Sequence, residues 1–562
     1  MKEYEKKKKK MSIKNSNFGS KHQKPILNHI IPDKFLIFLS LSSISISCYA
    51  LQKPPPLPIL PLPSAPQLQW QLTSMALFLH FGTNTFTDSE WGSGRADPSI
   101  FNPTQFNAAQ WVQVAKDSGF SRLILTAKHH DGFCLWPSNY TDYSVKSSSW
   151  RNGTGDVVKE LALAAKEAGI DLGFYLSPWD RHEASYGKSL EYNEYYMGQM
   201  TELLTRYGEI KEVWLDGAKG EGEKDMEYFF DRWFGLIRQL QPGAVIFSDA
   251  GPDTRWIGDE NGAAGSTCWS LFNRSAVKIG GADPKYSQRG DPSGHDWVPA
   301  ECDVSIRPGW FWHASETPKS AMKLLEIYYN SAGRNCLLLL NVPPNASGLI
   351  SAEDIQVLQE FAQLRRSIFS YNIAKNKIAL LSASSTRGGN GNSQFDPYNV
   401  LKEGIYTYWA PEENQYNWEL HLELQELVAF NVLQVQEPIH MGQRIIEFHV
   451  EILEDGEWKK VINGTTVGYQ RLLQFPTAVS QHIKFVVDKS REDPLISYLG
   501  IYMDQFSIVS NKFGNNCSQT HSISSQVLRQ QNSKLNITIA SMAVKYFSKL
   551  HKIILNLLQN NV

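Results

Sequence analysis

A chain of 562 residues is too long for one small domain; at roughly 150 residues per domain it asks for three or four folding units, or for one large barrel plus something smaller. Hydrophobic residues make up 42%, enough for sizeable cores, which excludes wholesale disorder. Lys+Arg 55 against Asp+Glu 57 leaves a formal charge of -2, so nothing general attracts a polyanion and nucleic acid is not an expected partner. The 16 Trp, 23 Tyr and 27 Phe supply flat apolar faces of the kind that stack on pyranose rings, although such residues also build ordinary cores.

The N-terminus reads as an export signal. Lys6 to Lys10 form a basic run, and Phe35 to Ala50 offers an apolar core of about 12 residues closing on small ones, short of the roughly 20 that span a bilayer. Residues 1–50 are therefore expected to be a signal peptide cleaved near Ala50, and the mature protein to be secreted, extracellular or apoplastic, without stable membrane insertion. The basic region is long for a signal, and Met11 is an alternative start. Residues 51–69 are proline-rich and predict an extended leader. Cys48 leaves with the signal, and Cys134, Cys268, Cys302, Cys336 and Cys517 remain, an odd set with no C-x-x-C spacing. Acceptors of the form Asn-x-Ser/Thr stand at Asn139, Asn152, Asn273, Asn345, Asn463, Asn516 and Asn536, and gain meaning only beside the signal.

From 70 to 365, short continuously apolar runs at 77–80, 123–126, 172–176, 213–216, 245–248 and 337–341 alternate with amphipathic helical stretches, two of which end at Gly169 and Gly208. Runs without polar alternation suit parallel strands buried on both faces. No glycine-rich phosphate loop follows any of them, so the expected fold is α/β, a (β/α)8-like TIM barrel rather than an open doubly wound sheet. From 366 to 510 the pattern changes to polar/apolar alternation, as in Trp418 to Leu424 and Ile446 to Ile452, with further strands expected at 429–436, 458–462, 482–487 and 498–502. This is an antiparallel β-sandwich with a Gly/Asn/Ser-rich loop near 385–395. The tail 511–562 is polar to about 540, after which Ala543, Phe547, Leu550, Ile554 and Leu557 share one helical face.

Chemistry should collect at the carboxyl ends of the barrel strands. Asp216 ends the run Lys-Glu-Val-Trp-Leu and precedes Gly217, so a buried strand would deliver a rigid carboxylate to the barrel mouth, beside Trp214. A retaining glycosidase needs a second, protonated carboxyl group about 5 to 5.5 Å away. Two acids compete. Glu260 lies on a loop after the next strand, with Trp256 available to desolvate it, and is preferred; Glu301 ends another plausible strand. His80 closes the first strand, and His129 and His130 follow the second, where imidazoles can bond sugar hydroxyls. No ligand spacing accompanies these histidines that would make a metal site.

Several motifs now stand in order: Phe-Leu-His80-Phe-Gly, Ser-Glu90-Trp91-Gly, Ala-Lys-His129-His130-Asp-Gly-Phe, Phe-Tyr175-Leu-Ser-Pro-Trp and Val-Trp214-Leu-Asp216-Gly. Together they resemble the α-L-fucosidases of glycoside hydrolase family 29, and Arg255-Trp-Ile-Gly and Trp297-Val-Pro-Ala-Glu-Cys-Asp resemble the plant members and the subgroup that prefers α-1,3/1,4-linked fucose. The downstream sandwich looks like the galactose-binding-type domain of these enzymes. The resemblance implies a retaining exo-α-L-fucosidase acting on a fucosylated oligosaccharide or glycoprotein, with Asp216 as nucleophile and Glu260 as acid/base. His80, Glu90, Trp91, His129, His130, Tyr175, Trp214 and Trp312 would line the fucose pocket, and Trp136, Phe311 and Trp312 would pack the sugar's methyl group. It implies no cofactor and no metal. Rival readings are a fucose-binding lectin-like barrel without catalysis, and a barrel hydrolase for another sugar.

Overall fold

The computed structural model describes residues 53–389 and 394–507. The expected signal at 1–50, the tail 511–562 and part of the glycine-rich loop lie outside the described residues. Eight parallel strands close a barrel in sequence order: β1 Met75–Leu79, β2 Arg122–Lys128, β3 Asp171–Leu176, β4 Glu212–Trp214, β5 Val245–Ser248, β6 Thr254–Trp256, β7 Ala300–Ser305 and β8 Cys336–Asn341. Closure sets Met75 opposite Leu338 and Phe78 opposite Asn341. Leu77, Leu123, Leu125 and Leu172 face the surrounding helices. Ala76, Phe78, Ile124, Tyr175, Trp214, Val245, Phe247, Leu337 and Leu339 form a separate cluster in the lumen. Because both faces are covered, these strands read as unbroken apolar runs.

The outer helices include α1 Ala65–Thr73, α2 Ala108–Asp117, α3 Val157–Ala168, α4 Ser189–Arg206, α5 Phe230–Leu240, α6 Ala321–Asn330 and α7 Ala352–Phe369. Asp156 caps α3 by accepting from the Lys159 amide, and Gly169 ends it in the left-handed conformation (φ 69°), which glycine adopts without a Cβ clash. Only residues 249–253 link β5 to β6, and a long excursion, 257–299, links β6 to β7. Glu260 therefore follows the sixth strand rather than the one next to β4.

The leader shortens from 51–69: residues 65–69 belong to α1. Ser64 and Gln67 form a capping box and proline stands in the helix's first turn, where its missing N–H costs nothing. Trp70 of α1 reaches up the lumen and donates to Glu212 Oε2 (2.9 Å).

The second body is an antiparallel sheet folded over its own apolar core: β9 Ile378–Ala383, β10 Trp418–Gln436, β11 Ile445–Glu454, β12 Glu457–Gly464, β13 Arg471–Ser490 and β14 Tyr498–Tyr502. The strands expected at 418–424 and 429–436 are one strand, β10, with register shifts where it turns. It packs against the barrel near the start of β8, where the Tyr469 hydroxyl donates to Cys336 O (3.1 Å) and the Ser270 amide to Gln443 Oε1 (2.8 Å). Cys302 and Cys336, on neighbouring strands, form a disulfide; Cys134 and Cys268 are free and buried. Among the described residues no helix is long and apolar enough to cross a membrane.

Candidate active site

The carboxyl ends of the strands surround a cavity of about 330 Å³, at the small end of ligand pockets. Its wall brings together His80, Glu90, Trp91, His129, His130, Tyr175, Trp214, Asp216 and Glu260. Nine positions spread over some 180 residues of sequence thus share one concavity.

Asp216 stands two residues past the end of β4. Its Oδ2 accepts from the Tyr175 hydroxyl (2.9 Å) and its Oδ1 from the Ala218 amide (2.7 Å), which fixes the carboxylate without spending it on a salt bridge to lysine or arginine. Burial and the neighbouring Asp216 charge push the Tyr175 phenol well above its usual range, so it remains a donor. The floor is aromatic: Trp214 stacks on Phe247 (4.0 Å between ring centres) and on Tyr175 (5.3 Å).

The three histidines are uncharged. Burial lowers His80 to about 3 and holds His129 well below the usual histidine range; it lowers His130 too, against the opposing pull of Asp216. Their tautomers follow from their partners. Asn341 gives its amide hydrogens to Ser305 Oγ and Trp310 O, so its Oδ1 must accept from His80 Nδ1 (2.8 Å). Ser177 spends its proton on Trp179 O and accepts from His130 Nδ1 (2.7 Å). His80 keeps its Nε2 as an acceptor, which suits the hydroxyl donors of a sugar, whereas His130 Nε2 lies 3.7 Å from Asp216 Oδ2.

Glu260 is exposed on the rim, with its carboxyl group against Trp310, whose Nε1 donates to Oε2 (3.3 Å). Burial of the carboxyl raises its pKa; the Trp310 bond opposes this, and the charges of Asp216 and Glu90 add to it. A carboxyl group whose pKa is raised, on the same cavity wall as a fixed carboxylate, has the character that proton donation to a leaving oxygen requires.

Glu301, the competing acid, is fully buried in the lumen, donated to by Trp214 Nε1 (2.7 Å), and is not part of the cavity wall. Its place on β7 turns it inward a layer below the mouth. Trp312 is likewise absent from the wall; the indole there is Trp310, because Glu90 pins the amides of Trp310 (2.8 Å) and Phe311 (3.3 Å) and so sets which side chain of this loop faces in. Phe311 is fully buried behind His80 and His129, and Trp136 is buried with its indole on Glu202, so neither lines the cavity. The apolar wall is instead Phe78, Trp214, Phe247, Trp256 and Trp310.

Sequence reasoning also missed Asp249 and Asp303, both on the wall. Asp303 accepts from Trp256 Nε1 (2.9 Å), and burial, with the nearby Glu260, pushes its carboxyl well above the usual carboxylate range. Asp249 accepts from the Gly280 amide (2.8 Å) and so brings the 280–282 loop to the rim. Among the described residues no group of three or more His, Cys, Asp or Glu is placed to hold a metal ion.

The family model for α-L-fucosidase matches residues 68–365. The Arabidopsis thaliana protein named alpha-L-fucosidase 1 is 72% identical over 476 residues, covering 84% of this chain and 93% of that one. Among solved structures, SpGH29 superposes with a TM-score of 0.76 at 42% identity, over 80% of this chain and 100% of that one. A Ruminococcus gnavus GH29 fucosidase in complex with fucose superposes with a TM-score of 0.75 at 35% identity, over 81% and 97% respectively. The chain belongs to the α-L-fucosidases of glycoside hydrolase family 29, and is a glycoside hydrolase of that activity.

Proposed function

We propose that the protein is a secreted, retaining exo-α-L-fucosidase that releases terminal α-1,3/1,4-linked L-fucose from oligosaccharides or glycoproteins. The supporting observation is the pairing on one cavity wall of a carboxylate fixed by Tyr175 and Ala218 with an acid whose pKa is raised, Asp216 with Glu260. Asp216 attacks the anomeric carbon as Glu260 protonates the leaving oxygen, giving a covalent fucosyl-enzyme. Glu260, now ionised, takes a proton from water, which displaces Asp216 and restores the α configuration. The uncharged His80 accepts from a fucose hydroxyl, His130 stands against the Asp216 carboxylate, and the aromatic wall packs the ring and its methyl group.

Asp216→Ala tests the nucleophile. It should abolish hydrolysis of an aryl α-L-fucoside, with azide restoring turnover and giving the β-fucosyl azide; near-wild-type turnover without azide would remove Asp216 from this role. Release of fucose from α-1,3 and α-1,4 but not α-1,2 or α-1,6 oligosaccharides tests the linkage preference. N-terminal sequencing of the protein from culture medium tests secretion.

A further inference from the structure

We propose that His313 is a positioning residue of this fucosidase: its imidazolium ties Asp88 to Glu90 and thereby clasps the loop after β1 to the loop after β7 around the sugar. This rests on the cavity being the fucose site. His313 Nδ1 stands 2.5 Å from Asp88 Oδ1, and Nε2 stands 2.5 Å from Glu90 Oε1. Ionised carboxylates only accept hydrogen bonds, so an imidazole set between two of them must donate from both nitrogens, and only the charged form does that. A neutral ring would leave a lone pair against one carboxylate oxygen.

Glu90 carries the consequence into the cavity. Besides His313 it accepts from the Trp310 and Phe311 amides (2.8 and 3.3 Å), so the β7 loop hangs on the side chain of a residue from the β1 loop. Gly309 leaves room for this: a Cβ there would collide with Glu90 Oε1. Trp310, seated by those bonds, lines the cavity and donates to Glu260. One chain of contacts, Asp88–His313–Glu90–Trp310–Glu260, thus joins the loops after β1, β6 and β7.

The groups facing His313 are Asp88 and Glu90 from the β1 loop and Glu316 from its own loop, where Glu316 accepts from the Gly309 amide (3.1 Å); Glu260 stands beyond Trp310, and Lys319 beyond Glu316. Partial burial works against the charge on His313, but the bonds to Asp88 and Glu90 outweigh it and its pKa is raised. The clasp is therefore complete in acid and near neutrality, and opens as pH climbs past that raised value.

The test is steady-state hydrolysis of 4-nitrophenyl α-L-fucoside from pH 4.5 to 8.5 by the wild-type protein, His313→Gln and His313→Arg, with thermal unfolding of each at every pH. Wild-type KM should be flat in acid and rise at the alkaline end. His313→Gln, with only one side-chain end able to donate, should raise KM about tenfold at pH 5, change kcat much less, and abolish the alkaline rise. His313→Arg, a permanent cation that can donate to both carboxylates, should recover most of the lost affinity and also show no alkaline rise. A Gln variant with wild-type KM and the same alkaline rise overturns the clasp, as does a loss confined to kcat. Failure of the wild-type protein to hydrolyse any α-L-fucoside would instead bring down the underlying site assignment.

Discussion

Glu301 offers the sharpest quantitative test of the barrel interior. Its Oε1 accepts from Trp214, while its Oε2 and Glu212 Oε1 are both buried and have no partner unless one of the two acids carries a proton between them. Glu212 is drawn toward the ionised form by Arg122 (3.0 Å) and Trp70, so Glu301 holds the proton: burial, then the Glu212 charge, push its pKa well above the carboxylate range. The unfolded chain releases that proton near pH 4.5, whereas the folded chain keeps it. Above pH 4.5, and until the pH reaches the raised pKa of Glu301 in the folded chain, unfolding therefore frees one proton, and stability falls as pH rises by about 1.4 kcal/mol per pH unit. Glu301→Gln mimics the neutral acid, accepting from Trp214 and donating an amide hydrogen to Glu212, with no proton to lose. Relative to the wild-type protein it should gain stability steadily as pH rises through that window, by about 1 °C in Tm per pH unit for a chain of this length. Glu301→Leu should lose at every pH, because Trp214 Nε1 and Glu212 Oε1 are each left buried without a partner at about 1–3 kcal/mol apiece. Calorimetry at half-unit pH steps measures both. A Gln-minus-wild-type difference that stays constant with pH would refute the shared proton.

Three further outcomes are expected. Glu260→Ala should cut turnover of a fucosylated trisaccharide by about 10²–10⁴-fold, but that of an aryl fucoside with an acidic leaving group much less; azide should then yield the α-fucosyl azide, identified by proton NMR. Tyr175→Phe removes one charge-assisted bond to Asp216 and should lower kcat/KM by roughly 10- to 100-fold with little change in Tm. In protein expressed through a secretory route, peptide mass spectrometry should find glycan on the exposed Asn139, Asn152 and Asn463, and none on Asn345, whose side chain is held by Ser347, Leu349 and Ser351.

Most of the barrel was legible because a strand covered on both faces has one hydrophobic signature. Two strands lack that signature for opposite reasons, and the strand expected to end at Glu301 runs Ala300–Ser305 with Glu301 second. Thr254–Trp256 is too short to show a period, and its Arg255 is buried among carbonyls of Ser287, Val298 and Trp269. Ala300–Ser305 alternates like a half-wet strand, yet all six residues are buried, because its acids face the lumen and meet Trp214 and Trp256 there. Asp216 and the histidines could be found because strand ends place them. Trp312 was expected on the wall and Trp310 stands there instead, because the facing of a loop residue depends on which backbone amides Glu90 captures, a contact 220 positions away in sequence. Asp249, Asp303 and His313 look like ordinary polar loop or strand residues until the loops close.

The helix that Ser64 caps also sets a limit on trimming. Since the Trp70 indole joins the lumen cluster and donates to Glu212 Oε2, this short segment completes the barrel rather than decorating it. Progressive N-terminal shortening should begin to lower the melting temperature once Leu57 to Leu60 are lost, whose backbone bonds Arg444, Met441 and Arg491, and should lower soluble expression further once Trp70 goes.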